Sequence, residues 1–338
     1  MMAERSLSDR ILVLRLGSLG DIVHTLPAVA ALRDTFPAAQ IDWLIERKWS
    51  PLLASNPSFV STISLDRGLA GTLAAVRTLR RNAYSCVIDF QSLYKSALFS
   101  LLSGAPRRIG FDRASARESG AALFYTHRVS ATGTHIIDQL LSLAAGAGAR
   151  IGPARFPLVI PNTAQQEISR RLAGQGITGY IVVSPGGGWR SKCWPPERYG
   201  ELCRALERDR GLCAVVNFGP GEESLAEAVC RAPAPASPVR FETNLPQLMA
   251  LLARARLVVA ADTGPLHLAA ALGAPVVALF GPTNPQRNGP YFPADVVVQN
   301  AALSEHTHDR GRDFADSMLS ITVEQVLAAV ATRLERAR

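Results

Sequence analysis

Short apolar runs alternate with amphipathic stretches along most of the chain. ILVLRL (11–16), IDWLIE (41–46) and YSCVIDF (84–90) read as strands, and residues 21–36, 69–81, 92–102 and 136–145 carry the helical period. Pro27 inside the first of these helices predicts a kink or a break. From Gly152 to Thr163 the periodicity lapses among Pro153, Pro157 and Pro161, which predicts a linker. The alternation then restarts. GYIVVS (179–184), LCAVVNF (212–218), Leu257–Ala261 and Pro275–Phe280 read as strands, and residues 196–209, 222–231, 245–255, 265–272 and 322–338 as helices. Strand–helix alternation predicts parallel sheets, here two doubly wound α/β halves. Open sheets of this kind bind ligands beyond the carboxyl ends of their strands. The expectation is therefore two domains facing a cleft, residues 1–155 and 156–320, with a C-terminal helix over 321–338.

Composition changes this picture little. A chain of 338 residues with 48% hydrophobic positions suits two real cores. No apolar run approaches the roughly 18 residues needed to span a bilayer, and the short run after Arg10 does not read as a secretory leader. The five cysteines, at 86, 193, 203, 213 and 230, form no C-x-x-C and read as reduced thiols of a cytoplasmic protein. Charge adds more. Residues 1–160 hold 18 Lys+Arg against 11 Asp+Glu, whereas residues 161–338 hold 18 against 17. A first half at +7 beside a second at +1 points to an anionic partner on the first half: nucleic acid, an acidic ligand or an anionic membrane face. Ordinary solubility charge is the alternative.

Four strand-to-helix turns carry candidate chemistry. RLGSLGD (15–21) follows the first strand and lacks the G-x-G-x-x-G dinucleotide pattern. Asp21 either complements the helix dipole or offers a carboxylate that accepts a proton. SPGGGWRSKCWP (184–195) lets backbone approach a ligand closely through its three glycines, Gly187 in the middle. It is no Walker A loop, because Cys193 stands where Ser or Thr would hold magnesium, but Lys192 can still meet a phosphate as a point charge. NFGPGEE (217–223) ends a strand with two glutamates, read either as a helix cap or as an acceptor for ribose hydroxyls. In ADTGPLHLAAALGAPVVALFGPT (261–283), Thr263 and Gly264 form the turn and Pro265 suits the first helical position. The first-turn amides, with the Thr263 hydroxyl and His267, would bind a phosphate. Asp262 would repel one, so it orients its neighbours. EHTHD (305–309) is either a metal cluster or a polar surface loop. No D-x-D and no G-x-S-x-G occurs, which argues against a metal–diphosphate site of that type and against an α/β-hydrolase.

Together these motifs resemble the ADP-heptose:lipopolysaccharide heptosyltransferases, most closely the type I branch. The resemblance rests on GSLGDIVHTLPAV (17–29), IDWLIE (41–46), VIDFQSLYKSAL (87–98), ARESGAALFY (116–125), KCWPPERY (192–199) and DTGPLHLAAALGAPVVALFGPTNP (262–285). It implies the GT-B architecture, two Rossmann-like domains around a cleft, and an inverting transfer of heptose from ADP-heptose to the 3-deoxy-manno-octulosonic acid (Kdo) of the lipid A inner core. It implies Asp21 as the catalytic base. For the donor it implies Lys192, Asp262, Thr263, Gly264 and His267, with Glu222 or Glu223 on the ribose and Ser184 and Gly187 in the phosphate loop. For the acceptor it implies Ser18, His24, Lys95 and Arg117. No metal site and no required cofactor follow from it, magnesium stimulation being left open. The implied partners are the donor, the anionic acceptor and the cytoplasmic surface of the inner membrane, not nucleic acid. Two positions depart from the family: QSL at 91–93 where glutamine-glycine-leucine is usual, and Gly186–Gly188 where type I members often carry hydroxyls, a contact Ser184 or Ser191 would then supply.

The chemistry agrees with the resemblance. Inverting transfer needs a base on the acceptor hydroxyl and stabilisation of the departing diphosphate on the opposite side. The basic half supplies Asp21, and the other half supplies amides, Lys192 and His267. A sugar-nucleotide epimerase on the same architecture, a type II heptosyltransferase and a non-catalytic nucleotide-sugar-binding protein are the competing readings.

Overall fold

A computed structural model describes residues 10–54, 56, 58–59, 61–231, 238–300 and 313–336. The chain divides into two compact units, Met1–Val159 and Ile160–Arg338, the division falling in the proline-rich stretch. Each unit is built on one six-stranded sheet in which every strand pair is parallel.

In the first unit β1 (Arg10–Leu14), β2 (Gln40–Glu46), β3 (Ser61–Leu65), β4 (Cys86–Asp89), β5 (Arg107–Phe111) and β6 (His127–Val129) lie in the order 3-2-1-4-5-6. The helices are α1 (Leu19–Thr35), α2 (Gly68–Asn82), α3 (Tyr94–Leu102) and α4 (Ile136–Gly146). α1 runs through Pro27 as one helix, so of the two expectations, a kink or a break, the break does not occur. It is buried along most of its length and packs on α4, and that enclosure compensates for the hydrogen bond proline removes.

In the second unit the strands are β7 (Tyr180–Ser184), β8 (Cys213–Phe218), β9 (Val239–Glu242), β10 (Leu257–Ala261), β11 (Val276–Phe280) and β12 (Val296–Gln299), in the order 12-11-10-7-8-9. Counted from the unit's own first strand, this is again 3-2-1-4-5-6. The helices are α5 (Asn162–Ala173), α6 (Pro196–Arg210), α7 (Glu223–Cys230), α8 (Leu245–Ala253), α9 (Gly264–Ala271), α10 (Pro285–Asn288), α11 (Asp316–Leu319) and α12 (Val323–Arg336). α12 docks through Val326, Ala329 and Val330 on the same core as β7, β10 and β11.

The expected apolar runs are the interior strands. β7, β10 and β11 are buried at every position, because a parallel sheet covered by helices on both faces hides both side-chain sets. The strands absent from the sequence reading are β5 and the four edges. β5 opens with two arginines, and the edges are short and half-exposed, as β3 (STISL) and β9 (VRFE) illustrate. In this strand order the direction of winding reverses between the first and fourth strands, which opens a crevice at their carboxyl ends. The two candidate clusters lie at these points, one in each unit.

Candidate active site

The cluster in the first unit grows from the end of β1. The chain leaves the sheet at Arg15, turns through Gly17 and enters α1 with Ser18 at the N-cap. Asp21 stands in the first helical turn. Its Oδ2 accepts the Ser18 amide at 3.1 Å and the Ser18 hydroxyl at 3.2 Å. Its Oδ1 lies 2.5 Å from the Arg15 guanidinium, which also donates to the carbonyl of Phe90. Arg117 reaches Oδ2 at 4.0 Å from a largely exposed position. Burial works to raise the Asp21 pKa, but Arg15 above all, then the Ser18 amide, His24 and Arg117, hold it down to about 2. The carboxylate is therefore anionic throughout the physiological range, and its side chain is still 28% exposed. It is an open acceptor of protons or hydrogen bonds.

The loop after β4 completes this crevice. Asp89 is fully buried and accepts the amides of Gln91 and Ser92 at 2.9 and 3.1 Å and the Tyr125 hydroxyl at 2.7 Å. Burial pushes its carboxyl above the ordinary range, against those hydrogen bonds. Gln91 Oε1 in turn accepts the Leu16 amide at 2.7 Å, joining the two loops. Lys95 on α3 lies 3.7 Å from Glu46 at the end of β2. The structure thus brings Ser18, Asp21 and Arg117 together, with Lys95 beside Glu46. His24 is buried one turn beyond Asp21 and meets the His135 ring edge-on, 6.1 Å between centroids.

The cluster in the second unit is built on Asp262, the residue after β10. Lys192 Nζ reaches its Oδ2 at 2.6 Å, the Thr283 hydroxyl donates to the same oxygen at 2.8 Å, and His267 Nε2 lies 3.0 Å from Oδ1. Burial raises the Asp262 pKa, but the hydrogen bond and charge of His267 and then Lys192 outweigh it and leave the carboxyl far below the ordinary range. Asp262 itself is 5% exposed, and its role is to fix a lysine and a histidine at the mouth of α9. Thr263 is the N-cap of α9, its hydroxyl turning back to the Ala261 carbonyl at 3.1 Å, so no side chain caps the helix. The structure places Thr263, Gly264 and His267 together at the start of α9, with the Thr263 hydroxyl turned to the Ala261 carbonyl and His267 held by Asp262.

The glycine loop after β7 closes over the same point. Ser184, the last residue of β7, pairs with Ala260 and is buried. A Cβ at Gly187 would lie 2.9 Å from Thr263 Cγ2 and 3.0 Å from Cys193 Sγ, so only glycine lets this backbone pass against α9. A Cβ at Gly186 would strike the Glu222 carboxylate at 2.2 Å. Glu222 therefore packs on the loop, its Oε2 accepting the Gly219 amide at 2.9 Å, while Glu223 is exposed and accepts the Gly221 amide at 3.1 Å. Of the two glutamates, Glu222 belongs to this cluster. Below the loop lies a cavity of about 120 Å³ lined by Gly187, Cys193, Trp194, Leu225 and the stacked pair Arg190–Phe314. Burial raises the Cys193 pKa, so its thiol stays protonated at neutral pH.

Sequence reasoning passed over Arg15, Gln91 and Thr283. Arg15 had a signal: an arginine in the apolar run ILVLRL needs a partner once buried. Gln91 and Thr283 lay inside quoted motifs, but their partners, Leu16 and Asp262, are distant in sequence. The EHTHD histidines, His306 and His308, lie outside the described residues. Among the described residues no three His, Cys, Asp or Glu side chains converge on a metal position, and no helix is long and apolar enough to cross a membrane.

Two Rossmann-like units of identical strand order, with candidate chemistry at each switch point, give the GT-B architecture. The model of glycosyltransferase family 9 (heptosyltransferase) matches residues 72–316. The chain belongs to this family, and it is a glycosyltransferase. It is 31% identical over 296 residues to lipopolysaccharide heptosyltransferase 1 of Pseudomonas aeruginosa, covering 83% of this chain and 81% of that one. It is 29% identical over 279 residues to lipopolysaccharide heptosyltransferase 3 of Escherichia coli, covering 78% and 80%. Its structure is similar to that of the E. coli heptosyltransferase WaaC with ADP, with a TM-score of 0.75 and 25% identity, covering 97% and 99% of the two chains. Family membership favours transfer over the epimerase and non-catalytic readings.

Proposed function

We propose that this enzyme acts in lipopolysaccharide core biosynthesis, moving L-glycero-D-manno-heptose from ADP-heptose to the Kdo of the lipid A inner core with inversion. The observation that carries the reading is the Asp21 carboxylate, held anionic by Arg15 yet open at a sheet's switch point. The acceptor hydroxyl attacks the anomeric carbon while Asp21 takes its proton, and the bond to the diphosphate breaks in the same displacement. A carboxylate with a pKa of about 2 serves because the hydroxyl becomes acidic only as the new bond forms.

The departing ADP gains charge, and the α9 N-terminus, Lys192 and His267 stabilise it. In this reading Glu222 holds the ribose, Ser184 and Gly187 shape the phosphate loop, and Lys95, Arg117, Ser18 and His24 serve the anionic acceptor. The ADP complex of the WaaC relative supports the donor assignment. The reaction draws on no required cofactor. It takes place at the cytoplasmic face of the inner membrane, where the enzyme sits peripherally.

The resemblance to a type 3 enzyme at 29% identity, close behind the type 1 relative, supports a second reading with a different core acceptor. Incubation with ADP-heptose and either Kdo-bearing lipid A or its heptose-extended form, followed by mass spectrometry, tests both. One heptose gained on the Kdo form alone is the expected result. Gain only on the extended form supports the second reading, and isomerised donor with no transfer sinks both.

A further inference from the structure

The geometry points to the outer face of α2 and α3 in the first unit as a docking surface for an anionic lipid bilayer. α2 crosses from β3 to β4 and α3 from β4 to β5, two crossovers in one direction, so both helices lie on one face of the sheet. Ala75 and Leu79 of α2 and Phe99 of α3 bury into a single core cluster, and Arg80 Nε donates to the Leu102 carbonyl at 2.9 Å, tying the two helix ends together.

Their outward sides carry large apolar residues that a water-facing helix would not need. Leu69 and Leu73 stand one turn apart on α2, and Tyr94, Leu98 and Leu101 form an i, i+4, i+7 stripe on α3. Exposure is 75% for Leu69, 54% for Tyr94 and 46% for Leu98. The 3₁₀ turn Ser119–Phe124, after β5, adds Leu123, and it packs directly on α3, since a Cβ at Gly120 would lie 2.2 Å from the Tyr94 hydroxyl. Isolated exposed leucines are ordinary, but six large apolar side chains on three adjacent elements form a patch that calls for a partner.

Charge selects that partner. Neither α2 nor α3 contains an Asp or Glu, while Arg77, Arg80 and Arg81 are exposed on α2 and Lys95 on α3. The neighbouring acids are engaged, Asp66 by Arg47, Glu118 by the Tyr94 amide and Glu46 by Lys95, which leaves the arginines of α2 as the surplus charge. Apolar side chains beside the exposed arginines of α2, with the flanking acids already engaged, match a bilayer with anionic headgroups. A second copy of the same face would oppose arginine to arginine across a two-fold axis.

The position also serves the chemistry. α3 begins at the loop that Gln91 joins to Leu16, and Arg117, which reaches Asp21, directly precedes Glu118. A bilayer on this face therefore lies beside the Asp21 cluster, where a lipid-anchored sugar is needed. That purpose rests on the proposed lipid A acceptor; the binding itself does not.

Vesicle co-sedimentation with the intact protein, without donor or acceptor, tests the surface. The wild type is expected to bind phosphatidylglycerol–phosphatidylethanolamine vesicles and to bind phosphatidylcholine vesicles poorly. Leu98→Glu/Leu101→Glu should weaken binding by about tenfold or more, and Arg77→Gln/Arg81→Gln by about fivefold for each arginine removed. Thermal unfolding and transfer to a deacylated, water-soluble acceptor should stay at wild-type levels in both variants. Failure of the wild type to bind anionic vesicles, equal binding to both vesicle types, or variants that bind like wild type overturns the inference. So does a wild-type dimer that Leu98→Glu/Leu101→Glu dissolves while leaving vesicle binding intact. Vesicle binding without any heptose transfer leaves the surface standing and removes the proposed reaction, whereas transfer without vesicle binding does the reverse.

Discussion

The two sheets use one design twice, and the contrast at their switch points shows how a fold is specialised. Each fourth strand delivers a buried aspartate to the crevice, Asp89 at the end of β4 and Asp262 just after β10. Asp89 is met by neutral donors, two amides and the hydroxyls of Tyr125 and Ser96, and its carboxyl is pushed above the ordinary range. Asp262 is met by Lys192, His267 and Thr283 and is driven far below it. The first therefore sets the course of a loop, and the second positions a lysine and a histidine. The charge left open to a ligand is reversed as well. In the first unit it is the carboxylate of Asp21, and in the second it is a lysine beside an uncapped helix N-terminus. A nucleophile that must lose a proton suits the first, and a leaving group that must gain charge suits the second.

Breaking the first side should have the largest effect. Asp21→Asn keeps the shape and can still accept from Ser18, but it cannot take a proton. Transfer is expected to fall by about a hundred- to ten-thousandfold, with donor affinity unchanged because the proposed donor residues belong to the other unit. Arg15 loses its charged partner, at a stability cost on the order of 1–2 kcal/mol. Single-turnover rates, donor titration and thermal melts separate these effects. Wild-type turnover in the mutant would reduce Asp21 to a helix-dipole partner.

Breaking the second side should lower turnover by about a hundredfold. Lys192→Ala also leaves the Asp262 carboxylate buried without its lysine, which costs on the order of 3 kcal/mol of stability. The comparison sharpens with the double change Lys192→Met/Asp262→Asn. That variant removes both charges and should recover most of the stability while transfer stays low. If turnover returns with stability, the lysine matters only to folding.

The pH response should separate the carboxylates by smaller amounts. Asp21 has a folded pKa of about 2, below the ordinary value near 3.9, so its contribution to stability is complete above about pH 4 and is lost as pH falls through 2. Asp262 has the same sign and persists to still lower pH. No acid limb from Asp21 is therefore expected in kcat/KM between pH 5 and 8. Arg15→Gln removes the main cause of the depression, leaving burial to raise the carboxyl, so a limb should move up into the measurable range. A wild-type limb above pH 5 that shifts in Arg15→Gln would show that Asp21 is not held low.

Much of this contrast was legible in the chain. The interior strands announced themselves because a strand buried on both faces is apolar at nearly every position. The turns after β1, β7, β8 and β10 carried glycines and charges in an order that marked them as sites. The edges were not legible: β6 is the three residues His127–Val129, and β9 is VRFE with one buried position. β12 is apolar, but four residues give too little pattern to register. Within the site, residue types could be read and pairings could not. Nothing local says that Lys192 binds Asp262 seventy positions away, or that Glu222 rather than Glu223 packs on Gly186.

The smallest expected effect concerns a departure that the sequence did expose, serine in QSL where the family favours glycine. Ser92 has a φ of 52°, in the left-handed region where a Cβ crowds the backbone. The conformation is imposed by Asp89, whose Oδ1 takes both the Gln91 and Ser92 amides and so aims Gln91 at Leu16. Ser92→Gly relieves about 1 kcal/mol of crowding. It also loosens the unfolded chain by about the same amount and gives up a long hydroxyl bond to the Asp89 carbonyl at 3.4 Å. The net change should lie within about 1 kcal/mol, with turnover unaltered. Ser92→Val meets the same φ with a branched side chain, and should lose on the order of 2 kcal/mol and some of the alignment of Gln91. Chemical denaturation of the three proteins tests the account: if glycine and valine prove equally tolerated, the amides of Asp89 do not fix this turn.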